Sequence, residues 1–153
     1  LYMEKSAPHA LQALSEDTLI RLFGLKGLSF KTPSYLNTGL IDLQVNGYKG
    51  VDFCSEELTR ESFIYACTEL LTEGGCCAIM PTIITSPMSA YAKVLPIIAS
   101  VIEDSPISER LLGIHLEGPF ISPVPGAVGC HRTECVVAAD LAILKELQAL
   151  ARG

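Results

Sequence analysis

The chain has 153 residues, of which 49% are hydrophobic and 18% charged, and its formal net charge is −6. That length bounds one domain with a real core, and the apolar composition excludes a disordered polymer. The acidic balance, with no basic patch, excludes the usual nucleic-acid binder, although backbone N–H groups can hold a small anionic ligand whatever the net charge. No leader-like pattern opens the sequence, and no apolar run reaches the ~20 residues of a membrane span. The six cysteines, at 54, 67, 76, 77, 130 and 135, form no C-x-x-C pair. The expectation is a cytoplasmic protein with reduced, mostly core, thiols.

Leu11, Leu14, Leu19 and Leu22 fall at helical spacing within residues 8–23, and 24–37 reads as a loop. Residues 1–37 are therefore expected to be a helical and loop segment preceding the domain. "GLIDLQV", Gly39 to Val45, predicts a strand with a turn at Asn46-Gly47. A helix over Glu56–Glu73 follows, with Ser55 as N-cap and Gly74-Gly75 as its stop. "CCAIMPTII", 76–84, is the second strand. Ser86 as cap and Pro87 in first position predict another helix, which Pro96 would kink or end early. A third strand is expected over 110–118, then a Pro/Gly-rich loop over 119–135, then an amphipathic helix from Ala138 to Ala151.

The order is β-α three times over. Strand centres near 41, 79 and 114 lie 38 and 35 residues apart, which suits βαβ units of ~30 or more residues. Strands that are apolar throughout suit a parallel sheet covered by helices. An open α/β sheet and a piece of a (β/α)8 barrel both fit.

Both architectures gather ligands at the C-terminal ends of their strands. The first strand ends on Gln44 and Asn46, the second on Pro81-Thr82, the third on His115 and Glu117. Side chains two apart share a face, so three strands deliver polar groups to one rim. A carboxylate there is costly unless it is paired or holds a cation. Glu117 thus reads as a metal ligand or as an ion-paired or hydrogen-bonded carboxylate. His115 reads as a satisfied core or supporting histidine, and Gln44 and Asn46 as turn caps or site residues. His131 follows Gly126 and Gly129, which let backbone come close to something; a surface histidine and a site residue are both open. His9 suggests no role.

Three blocks carry a resemblance: "TGLIDLQVNGYKGVDF" (38–53), "GGCCAIMPTIITSP" (74–87) and "LLGIHLEGPFISPVPGAVGCH" (111–131). In this order and spacing they resemble the N-terminal third of the N-acetylglucosamine-6-phosphate deacetylases, of the amidohydrolase superfamily. "HLEGPF" followed by Gly-x-His is the most specific element. The resemblance implies a metal-dependent (β/α)8 barrel, of which residues 38–153 would supply about three βα units. It implies deacetylation of N-acetylglucosamine 6-phosphate, with Glu117 on the family's metal-ligand glutamate and one divalent ion, zinc or iron. Gln44-Val45-Asn46 stands where many amidohydrolases carry His-x-His, as in members that look mononuclear. Cys130-His131 falls on the loop pair that contacts the sugar phosphate. The full-length protein is expected to be a homo-oligomer. Two further metal-binding histidines and the catalytic aspartate belong to later strands, beyond Gly153, and a complete barrel needs ~250 residues. The alternative expectation is therefore a truncated chain without turnover.

Overall fold

In a computed structural model of the chain, residues 39–153 are described. The helix expected over 8–23 and the loop over 24–37 lie outside the described residues, as does Thr38. Residues 39–153 form one compact α/β unit. Its centre is a parallel sheet of three strands: β1 (Leu40–Val45), β4 (Cys76–Ile84) and β5 (His115–Glu117), in the order β1-β4-β5. Helices α1 (Arg60–Glu73), α2 (Met88–Glu103) and α3 (Leu141–Leu150) follow the three strands in turn.

The second strand forms over the predicted residues, 76–84. Between β1 and α1 lies a small hairpin, β2 (Gly47–Tyr48) and β3 (Val51–Asp52). The chain reverses at Lys49-Gly50, not at Asn46-Gly47, and both turn residues have positive φ (50° and 78°), as a tight hairpin turn demands.

Helix α1 starts four residues later than Ser55 as N-cap would predict. Thr59 is the cap: its hydroxyl accepts from the Ser62 N–H, and the Ser62 hydroxyl accepts from the Thr59 N–H. This reciprocal box satisfies two end donors at once. Ser55 instead closes a turn by accepting from the Glu57 N–H. Ser86 does not cap α2; its hydroxyl donates to Ile84 O, and Pro87 occupies the cap position. Pro96 lies inside α2, which runs on to Glu103. Asp140 caps α3 by accepting from the Ala142 N–H at 2.6 Å, so that helix begins at Leu141 rather than Ala138.

The third strand is shorter than 110–118. Arg110 ends a single 3-10 turn, Ser108–Arg110, and its guanidinium donates to Cys76 O and Cys77 O at 2.6 and 2.7 Å. Leu111 bridges Ile79, but the ladder resumes only at Thr82–His115, three residues on along β4 and four along β5. Pro81 lies in that gap. It has no N–H to give the ladder, and β5 breaks there.

The helices cover one sheet face. Val45, Ile79 and Ile83 meet Phe63, Ala66, Cys67 and Leu71 of α1 and Tyr91, Val94, Leu95, Ile98 and Val101 of α2 in one core. Each fully buried aliphatic side chain there contributes ~1.5–3 kcal/mol of transfer free energy. Phe53 closes the top of the core edge-on to Phe63, with ring centroids 4.9 Å apart. The opposite face carries the polar residues. Among the described residues no helix is long and apolar enough to cross a membrane.

Candidate functional site

The polar face is built by register. Thr82 pairs with His115 and Ile84 with Glu117, so His115 and Glu117 project from the same side of β5, one layer apart. Their neighbours Ile114 and Leu116 pack on the core instead. Alternation therefore aims the charged groups away from the helices.

Glu117 is held between two donors. The Gln44 amide, on β1, donates to Oε2 at 3.0 Å. His131, from the long loop, brings Nε2 to 3.5 Å from Oε1. The Thr85 N–H donates to His131 Nδ1 at 3.4 Å. An Nδ1 that accepts leaves the proton on Nε2, facing the carboxylate. The Thr85 hydroxyl donates to Glu117 O at 3.3 Å. Buried Thr85 thus holds both the strand that carries Glu117 and the histidine that meets it. Nothing in "ITSP" marked Thr85 in the sequence as a site residue.

His131 reaches this position because the loop folds back. Gly126 and Gly129 take positive φ (86° and 60°), and the His131 N–H donates to Val128 O at 3.2 Å. Further on, the Val137 N–H donates to Pro119 O and ties the loop's far end to its start. Cys130, beside His131, is exposed.

Asn46 and His115 bond to other partners than the Glu117 carboxylate. The Asn46 amide donates to Thr82 O at 3.4 Å. His115 places Nδ1 3.2 Å from Leu43 O and 3.3 Å from the Thr82 hydroxyl. The site expected from sequence therefore resolves into Gln44 and His131, each meeting Glu117, with Asn46 and His115 bonded to the strands.

Cys54 is a further neighbour that sequence reading left with the core thiols. Its Sγ accepts from the Ile84 N–H at 3.4 Å. Burial, more than any neighbouring charge, pushes this thiol up from its ordinary pKa. Tyr91, on α2, fastens the same stretch: its hydroxyl donates to Ile84 O at 3.1 Å and accepts from the Ser86 N–H at 3.3 Å.

A catalytic zinc takes three protein ligands. Among the described residues no three of His, Cys, Asp and Glu converge to hold a metal ion. The one carboxylate, Glu117, meets a histidine whose facing nitrogen carries a proton. The described residues by themselves do not fit such an ion. What they do supply is an oriented carboxylate, 32% exposed, beside a largely buried imidazole.

No protein-family model matches the chain. It is 41% identical over 87 residues to the N-acetylglucosamine-6-phosphate deacetylase of Bos taurus, covering 57% of this chain and 21% of that protein. It is 37% identical over 106 residues to the Caenorhabditis elegans protein of the same name, covering 67% of this chain and 24% of the relative. The crystal structure of N-acetylglucosamine-6-phosphate deacetylase from Pasteurella multocida superposes with a TM-score of 0.62 at 29% identity, over 74% of this chain and 28% of that one. The chain resembles these deacetylases, and it spans about a fifth to a quarter of the length of the relatives it matches.

Proposed function

We propose that residues 38–153 form the first three βα units of a (β/α)8 barrel in an N-acetylglucosamine-6-phosphate deacetylase, with residues 1–37 as a separate segment. The reaction removes acetate from N-acetylglucosamine 6-phosphate and leaves glucosamine 6-phosphate. Parallel strands in sequential order, with helices on one face and polar groups on the other, support the barrel reading. The observation that carries the functional reading is the Glu117 carboxylate, held at a strand end between Gln44 and His131. In this reading Glu117 is one ligand of a divalent ion, zinc or iron, whose other ligands come from outside the described residues. Cys130 and His131 face the sugar phosphate, with Thr85 fixing the tautomer that His131 presents. The proposal extends to a cytoplasmic, homo-oligomeric full-length protein.

A second reading is a chain without turnover of its own. Among the described residues one carboxylate and one imidazole converge, which favours it. Two preparations separate the readings: the 153-residue chain alone, and a chimera in which its matching segment replaces that of the Bos taurus protein. Acetate release from N-acetylglucosamine 6-phosphate and bound metal are measured in both. The chimera is expected to hold metal and release acetate, and Glu117→Gln is expected to remove both. A folded chimera that releases no acetate, or that keeps its activity with Glu117→Gln, overturns the assignment. Turnover by the 153-residue chain alone overturns the second reading.

A further inference from the structure

The first strand carries an irregularity directly under the site. Asp42 pairs with Ile79 and Val45 with Pro81, so Leu43 and Gln44 together face the single residue Met80. Two residues against one is a β-bulge, which bends a strand and re-aims a side chain. The backbone groups around Gln44 are caught by side chains. The Gln44 N–H donates to Asp42 Oδ1 at 3.0 Å. The Val45 N–H donates to the Thr82 hydroxyl at 3.1 Å. Leu43 O faces His115 Nδ1 at 3.2 Å. A carbonyl can only accept, so Nδ1 carries the proton and donates. The Thr82 hydroxyl in turn donates to Met80 O at 3.1 Å. Thr82 is fully buried, so water cannot replace it without cost.

We propose that His115 and Thr82 are positioning residues: they hold the Leu43–Gln44 bulge so that the Gln44 amide meets the Glu117 carboxylate. The same short strand thus delivers the carboxylate and, two residues earlier, the imidazole that secures its amide donor. The inference deepens the proposed site. It rests on that reading for the importance of Glu117, though not for the geometry.

The test uses isotope-labelled 153-residue chain and two pairs of variants, His115→Leu with His115→Asn and Thr82→Val with Thr82→Ser. Asparagine keeps a donor near the place of Nδ1, and serine keeps the hydroxyl. The readouts are the Gln44 side-chain amide resonances, the exchange rate of the Val45 amide, and the Phe63 and Ile98 amides as core reporters. His115→Leu and Thr82→Val are expected to move the Gln44 resonances to solvent-exposed positions with the core reporters unmoved. Thr82→Val is also expected to speed Val45 exchange about tenfold. His115→Asn and Thr82→Ser are expected to keep the native pattern. Should His115→Leu fail to fold, the threonine pair carries the test. Unchanged Gln44 resonances in His115→Leu or Thr82→Val overturn the proposal, as does loss without rescue by the conservative variants. None of these readouts involves metal. Failed metal binding with an intact Gln44 signature therefore strikes only the proposed function, and the reverse result strikes only this inference.

Discussion

Alanine at Gly118 attacks the joint between β4 and β5 at a single atom. Gly118 has φ of +110°, and a Cβ there would lie 2.0 Å from the Thr85 hydroxyl oxygen and 3.2 Å from the Thr85 Cβ. A side chain held in that backbone region costs ~1–3 kcal/mol. Pushing the buried Thr85 hydroxyl off Glu117 O adds ~1 kcal/mol for the lost bond. Gly118→Ala is therefore expected to destabilise by ~2–4 kcal/mol. Thr85→Ala alone should cost ~1 kcal/mol. In the double variant the oxygen is gone and only the tight 3.2 Å contact remains. The double loss should then fall short of the sum of the single losses by ~1 kcal/mol. Urea unfolding of the four proteins reads this directly, provided the slope m is constant. Additive losses, or a Gly118→Ala protein within about 0.5 kcal/mol of the native one, would refute the steric interlock.

The thiols and the buried phenol give independent checks. Burial pushes the Cys67 thiol up to about 12, so a thiol reagent at neutral pH is expected to spare it and to modify exposed Cys130 first; native-state labelling read by mass spectrometry would expose an error. Burial likewise pushes the Tyr91 phenol from an ordinary 10.0 up to about 12. The folded state holds its proton longer than the unfolded chain, so this contribution is whole below pH 10 and is lost as pH rises from 10 to about 12. Tyr91→Phe should flatten that alkaline decline while costing ~1–3 kcal/mol at neutral pH, because the Ser86 N–H loses its partner and Ile84 O keeps the Ser86 hydroxyl but loses the phenol. A native-like alkaline slope in the phenylalanine variant would mean that Tyr91 is not the group responsible.

Much of the framework was legible because apolar runs with clear punctuation leave little choice. Cys76 to Ile84 is such a run, bounded by Gly75 and Ser86-Pro87, and it forms where expected. Helix α1 was legible in its body and not in its start, because Ser55 and Thr59 are both capping residues. Thr59 wins since Ser62 completes the box and Leu58, just before it, must reach the core. The third strand was over-read because Leu111 to Ile114 carries no polar side chain to break the run, while the absent donor of Pro81 sits on a different strand. Alternation put Gln44 with Asn46, and His115 with Glu117, at one rim; Gln44 meets Glu117 there, while the Asn46 amide turns to Thr82 O. The bulge that brings Gln44 to Glu117 was not legible, since "LQVN" carries no mark of an extra residue. Nor was the approach of His131 to Glu117, which depends on two positive-φ glycines and a distant threonine. The resemblance pointed to His131 where periodicity could not.

Pro81 gives the central strand two storeys. Below it, residues 76–80 meet their neighbours through ladder bridges from Leu40 to Asp42 and at Leu111. Above it, the ladder to β5 resumes from Thr82–His115 to Ile84–Glu117, and side-chain ties among Thr82, Thr85, His115 and Glu117 are added to it. A sheet interrupted in this way need not open as one unit.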